Sequence, residues 1–238
     1  MQGGTGVTFS ITARCPETGA FGVAVSTKLM CVGALCPFVR AGAGAVATQS
    51  FVNPYLGIEG LALLGEGLDA ATVRERLVAG DPGIAQRQFA VVDAEGRAAA
   101  YSGDACVGWY GHHEGEGFAC AGNMLTGPDV IANMAAAWDA SAGQPFAERL
   151  VRAVEAGQAA GGDKRGRQSA ALLVATTETY PAIDLRIDDH PDPVAELRRL
   201  WEMYRTDLAP IVGMLPTKEH PGGRFELASI REHLPAQE

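Results

Sequence analysis

Thr8 heads VTFSITAR (7–14), a stretch that alternates apolar and polar residues from the threonine onward. A hydroxyl is a poor nucleophile unless a base takes its proton. A threonine that is the first residue of a chain carries such a base itself, because its α-amine titrates near pH 8. Acyl transfer to Thr8 Oγ then needs a strand that fixes the amine, a cation that keeps the amine neutral and donors for an oxyanion. Thr8 meets these terms only if residues 1–7 are absent. The leader MQGGTG is small and polar, and the strand pattern starts abruptly behind it. Cleavage at Val7–Thr8 would expose Thr8. So would initiation at Val7, since one valine codon also starts translation in bacteria, with loss of methionine before the small threonine. With the leader in place, Thr8 is an ordinary β-branched residue of an edge strand. Position alone leaves both readings open.

Other chemistry is thinly represented. The chain has no GxSxG elbow, no phosphate-binding GxxxxGK[ST] loop and no HExxH pair. His112 and His113 stand beside Glu114 and Glu116, but consecutive residues point apart on a strand, so the stretch reads as a solvated loop. DDHPD (188–192) reads as an acidic turn in which Asp192 caps the helix that begins at Pro193. A hydrolase using a metal held by His112, His113 and the DDH cluster is the weaker alternative.

The chain has 238 residues, 47% of them hydrophobic, and a net charge of −9. That length and composition suit one globular domain with a sizeable core. An acidic surface argues against nucleic acid as the main partner. Apolar runs are broken well before the ~20 residues of a membrane span, and the N-terminus lacks the pattern of a signal peptide, so a cytoplasmic protein is expected. Five widely spaced cysteines with no CxxC pair read as free, mostly buried thiols.

The elements that must position Thr8 follow from periodicity. Residues 7–14 and 21–27 form a hairpin around the PETG turn, and a third strand runs over about 44–50. Two short helices lie between 55 and 80, the second capped by Asp69. A hairpin spans 86–103 and a strand 115–125. Helices follow Pro128 and Pro145, then strands at 169–176 and 182–188, then an amphipathic helix at 192–205 with Val194, Leu197, Leu200, Trp201 and Tyr204 on one face. A Pro/Gly-rich tail ends in a short helix near 226–234. Strands come in groups between helix pairs, which favours antiparallel sheets covered by helices, an α+β arrangement. The apolar face of 192–205 suggests a homo-oligomer.

Taken together, TFSITARCPETGAFGVAVSTK, VGALCPFVRAGAGAVATQSFVNPYLG, GDPGIAQRQFAVVDAEGR, AGNML, GQAAGGDKRGRQSAALLV and DLRIDDHPDPVAEL resemble the DUF1028 family, grouped with the N-terminal-nucleophile (Ntn) hydrolases. The resemblance covers about residues 7–205 and leaves 206–238 as a C-terminal extension. It implies a four-layer αββα sandwich and amide or peptide hydrolysis, with no metal or organic cofactor called for; a small-molecule substrate is suggested by the acidic surface and basic loop, and the lack of membrane and nucleic-acid partners by charge and hydropathy. Members often begin Met-Thr-Phe-Ser, so Thr8 matches the usual first residue. Lys28 becomes the cation near the amine, or else a surface lysine at a strand end. Thr48, Gln49 and Asn53 could orient substrate, and Asn123 could serve as an oxyanion donor. In GGDKRGRQS, Arg165, Arg167 and Gln168 offer contacts to a substrate carboxylate, unless the loop is merely solvated. Asp163 and Ser169 are the analogues of residues that support the nucleophile's amine. A non-catalytic binding module on the same fold is the rival reading.

Overall fold

The computed structural model describes residues 8–224, so the leader, the proposed cleavage point and the expected helix at 226–234 lie outside the described residues. Ten strands form two antiparallel sheets. The six-stranded sheet has the order β10-β9-β2-β1-β8-β7, with β1 Thr8–Arg14, β2 Phe21–Thr27, β7 Trp109–Gly115, β8 Phe118–Leu125, β9 Ser169–Ala175 and β10 Ile183–Ile187. The four-stranded sheet has the order β3-β4-β5-β6, with β3 Pro37–Arg40, β4 Gly44–Ser50, β5 Arg87–Asp93 and β6 Ala98–Ser102. The two sheets pack face to face, β1 and β2 against β4 and β8 against β5. Helices α1 (Pro54–Gly65) and α2 (Ala70–Gly80) cover the four-stranded sheet, while α3 (Asp129–Ala140) and α4 (Phe146–Ala159) cover the other.

The distribution of side-chain sizes explains the layering. The surface between the sheets is lined by small residues, among them Ala45, Ala47, Ala90, Ala100, Ala119 and Ala121, with Val23 and Val25. The opposite face of β4 and β5 carries Val46, Phe89 and Val91, which meet Leu56, Leu64, Val73 and Leu77 of α1 and α2. Alternation along β4 and β5 is therefore small against large rather than polar against apolar, because both faces are covered. Glycine permits a close approach of α4: a Cβ at Gly157 would lie 2.8 Å from Met134 and 3.1 Å from Phe9 of β1.

Two strands depart from the sequence reading. Residues 109–115 form β7 rather than a solvated loop, and 37–40 form β3. Both are edge strands. Two glycines and paired histidines hide the alternation of β7, which is held by pairing with β8. The cap at Asp69 follows expectation: its side chain accepts from Thr72 N at 2.9 Å.

The described residues form two compact units divided between Leu197 and Arg198. Helix α5 (Pro193–Met203) spans that division. In the second unit a π-helical turn (Tyr204–Leu208) leads to a short helix, α6 (Ala209–Val212). The rings of Trp201 and Tyr204 stack there at 5.8 Å. No described helix is long and apolar enough to cross a membrane. All five cysteines are free, and Cys31 alone is not fully buried.

Candidate functional site

The strand registers bring four polar residues into one row across the six-stranded sheet. Thr8 pairs with Thr27 on one side and Asn123 on the other, and Thr27 pairs with Ser169. Directly paired residues share a face, and here it is the face with Ser10, Val25 and Ala121. Ser10 Oγ donates to Gln49 Oε1 of the opposing sheet at 2.7 Å, so the row Ser169–Thr27–Thr8–Asn123 faces between the sheets. All four residues are buried. Thr8 Oγ1 and Thr27 Oγ1 are 3.3 Å apart.

A second row faces the first. Gln49, Gln88 and Ser102 are successive partners on β4, β5 and β6. Gln49 Nε2 donates to Thr8 O at 3.4 Å and to Gln88 Oε1 at 2.9 Å. Gln88 Oε1 also accepts from Asn123 Nδ2 at 3.0 Å. Gln88 Nε2 in turn reaches Ser102 Oγ at 2.7 Å and Gly122 O at 2.9 Å. Ser102 Oγ closes the chain on His112 Nδ1 at 2.9 Å. Burial lowers the His112 pKa, against the opposing pull of Glu114 and with help from Arg74, so the ring is neutral at pH 7. Gln88 and Ser102 were not picked out from sequence. Their signal is their place at the same end of paired strands as Gln49, visible only once the pairing is known.

The backbone is strained at the same end of the sandwich. Among the described residues three non-glycines adopt positive φ: Cys31 at 61°, Ser50 at 71° and Met124 at 47°. Ser50 follows Gln49, Met124 follows Asn123, and Cys31 lies in the turn after Thr27. Strain of this kind costs of order 1–3 kcal/mol per residue and concentrates at functional sites. Met30, Phe51, Tyr55 and Val107, on the loops and helix start that follow these strand ends, are large apolar residues left exposed.

The other sequence candidates divide into those at the row and those that build its rim. Ser169 Oγ donates to Leu29 O and accepts from Val32 N, which shapes the turn after β2. Asp163 is buried, and its Oδ2 accepts from Lys28 N at 2.7 Å, one residue beyond Thr27. Arg165 donates to the same carboxylate through its backbone N at 2.8 Å and its side chain at 3.2 Å. The Arg165 fork is thus engaged by Asp163. Arg167 donates to Asp192 Oδ1 at 2.9 Å and Gln168 to Asp189 Oδ1 at 3.0 Å, fastening the GGDKRGRQS loop to the DDHPD turn. Lys28 is exposed, and its Nζ reaches Arg167 O at 3.5 Å. Lys164 is exposed and makes no side-chain bond among the described residues. Thr48 Oγ1 bonds Asn53 O and belongs to the opposite face of β4 from Gln49. Asn53 caps α1 through Tyr55 N. Among the described residues no three His, Cys, Asp or Glu side chains gather as metal ligands, His112, His113 and the DDH turn included. Cys36 adjoins Gln49, and burial pushes its thiol up to about 12, which keeps it protonated and inert.

Asp81 holds the rim beside α1. Burial raises its pKa, but hydrogen bonds from Asn53 Nδ2 at 2.8 Å, Arg87 Nε at 2.9 Å and Gly83 N at 2.7 Å outweigh that and keep it below the ordinary value. Arg87 also donates to Phe51 O. A depressed folded-state pKa adds stability above the unfolded value, and that stability is lost as pH falls through the folded one. Asp81→Asn is therefore expected to cost about 1–3 kcal/mol at pH 7. The gap to wild type should begin to narrow near pH 4, where the unfolded carboxyl protonates, and go on narrowing as pH falls through the lower folded-state value. Urea melts across that range check both points.

No curated protein matches the chain. The crystal structure of protein SPO2555 from Silicibacter pomeroyi, described as a DUF1028 protein, superposes with a TM-score of 0.85 at 32% identity, covering 92% of this chain and all of that one. Anbu (ancestral beta-subunit) from Yersinia bercovieri gives a TM-score of 0.40 at 12% identity over 97% of this chain and 99% of that one, too loose a likeness to bear on fold or chemistry. The model of a family of unknown function, DUF1028, matches residues 8–197. The extent of that match and the likeness to SPO2555 agree, and the chain belongs to the DUF1028 family.

Proposed function

We propose that the protein is an Ntn-type amidohydrolase whose nucleophile is Thr8, acting on a small amide such as an N-acylated amino acid. The observation that carries this reading is the buried row Ser169–Thr27–Thr8–Asn123, with Thr8 in a central strand paired on both sides and three left-handed non-glycine residues nearby. The packing of α1 and α2 on one sheet and α3 and α4 on the other supports a four-layer αββα order of the Ntn kind.

In the reaction the free α-amine of Thr8 takes the proton of its own Oγ1, and Oγ1 adds to the amide carbonyl. The carbon–nitrogen bond breaks, and the proton passes to the departing amine. Water, deprotonated by the same α-amine, then adds to the ester, releasing the acid and restoring the hydroxyl. Thr27 Oγ1 is within reach to orient the Thr8 hydroxyl. Asn123 is the side-chain amide nearest in register for the oxyanion, its Nδ2 steadied by Gln88. Lys164 offers a cation for a substrate carboxylate, and the exposed apolar side chains of the rim suit an acyl group.

The decisive experiment is the intact mass and N-terminal sequence of protein expressed from its own start in a bacterial host. The expected result is a chain that begins at Thr8 and hydrolyses members of an N-acyl amino acid panel. A retained leader on all of the protein would overturn the reading in favour of a binding module, because Thr8 would then have no amine to act as base.

A further inference from the structure

A second polar site lies at the far end of the sandwich. Arg14 ends β1, six residues from Thr8, or about 20 Å at strand rise. It opens onto a cavity of about 290 Å³ formed by the β5–β6 and β7–β8 turns and the facing ends of α3 and α4. The charged lining residues are Arg14, Arg149, Glu95, Glu116 and Asp139, with Trp138 beside them.

None of the five forms an ion pair with a described residue. The Arg14 side chain makes no hydrogen bond among the described residues, and its Nε is buried without an acceptor. Arg149 lies over the Trp138 ring at 3.7 Å and donates one terminal nitrogen to Trp138 O, yet its Nε is also buried without an acceptor. An orphaned buried donor costs about 1–3 kcal/mol, more when charged. Two guanidiniums and three carboxylates line one cavity with no close ion pair between them, although Asp139, and Glu17 beside the cavity, act on Arg149 at longer range. Each sign is left available to something else.

We infer that this cavity binds a small zwitterion, of the class of a free amino acid or dipeptide, its carboxylate on Arg14 and Arg149 and its ammonium on Glu95, Glu116 and Asp139. A guanidinium fork matches a carboxylate bidentately, whereas an ammonium is satisfied by several single oxygens. The volume sits at the lower end of the ~300–1,000 Å³ usual for ligand pockets, which suits a molecule of that size. The inference is independent of the chemistry proposed at Thr8.

Titration calorimetry of the full chain with L-alanine, L-phenylalanine and glycylglycine tests it, with acetate and methylammonium as single-charge controls. At least one zwitterion should give saturable heat at millimolar concentrations, and the controls should not. Arg14→Met and Glu116→Gln should each weaken binding about tenfold, equivalent to 1.4 kcal/mol, while Thr8→Ala should leave it unchanged. If Arg14→Met fails to fold, the exposed Glu116→Gln alone decides. The proposal is overturned if no zwitterion binds, if acetate binds as well, if binding ignores both substitutions or if it is lost in Thr8→Ala.

Discussion

Gln88→Met is expected to destabilise the protein by roughly 3–5 kcal/mol, a large effect for a substitution that preserves chain length and volume. Gln88 is fully buried, and every polar atom of its side chain is in use. Methionine fills the space but accepts nothing useful and donates nothing. Asn123 Nδ2 loses its acceptor, Gln49 Nε2 keeps only the long bond to Thr8 O, and Gly122 O loses a donor. Each buried group left unsatisfied costs about 1–3 kcal/mol, and the network links them, so the losses compound rather than average out. Gln168→Met is the contrast. Gln168 is only partly buried and its side chain bonds Asp189, so the same change there should stay within about 0.5 kcal/mol. Urea unfolding with unchanged slope measures both. A loss below about 1 kcal/mol at Gln88 would mean that water or rearranged partners satisfy the row, and that the network does not hold Thr8 and Asn123 in place.

That network shows where sequence reading stops. Strand β1 and its hairpin partner were legible because VTFSITAR and FGVAVST carry their own periodicity and turn. The helices were legible from Asp69, Pro128, Pro145 and apolar spacing. Strands β3 and β7 were not: β3 is four residues long beside a glycine-rich stretch, and the glycines and paired histidines of β7 mask its alternation. Within the site, Thr8, Asn123, Ser169 and Gln49 could be picked out singly, but their grouping depends on registers between residues far apart in sequence. Gln88 read as one polar residue in a hairpin. Local chemistry also redirects apparent candidates: an asparagine before proline became a helix cap, and a cluster of arginines became the fastening of its own loop. Sequence reveals which groups could bind a substrate. It does not reveal which are already satisfied.

Thr8→Ala is expected to abolish turnover, with a loss of roughly 10⁴-fold or more, the scale at which removal of a nucleophile acts in acyl-transferring hydrolases. Thr8→Ser should retain activity and differ mainly in rate, because the hydroxyl and the α-amine both remain. The folded state should tolerate either change. The Thr8 hydroxyl makes one hydrogen bond, to Thr27 at 3.3 Å, worth about 1 kcal/mol, while β1 stays paired on both sides through its backbone. Matching circular dichroism and melting curves would therefore separate lost chemistry from lost structure. A β-lactone, which acylates activated hydroxyls, provides a readout that needs no known substrate: wild type and Thr8→Ser should gain its mass on the N-terminal peptide, and Thr8→Ala should not. Labelling of Thr8→Ala at another residue, or undiminished hydrolysis by it, would place the nucleophile elsewhere. Such a result would leave the buried row as scaffolding, because the proposed chemistry rests on the Thr8 hydroxyl and its own freed α-amine.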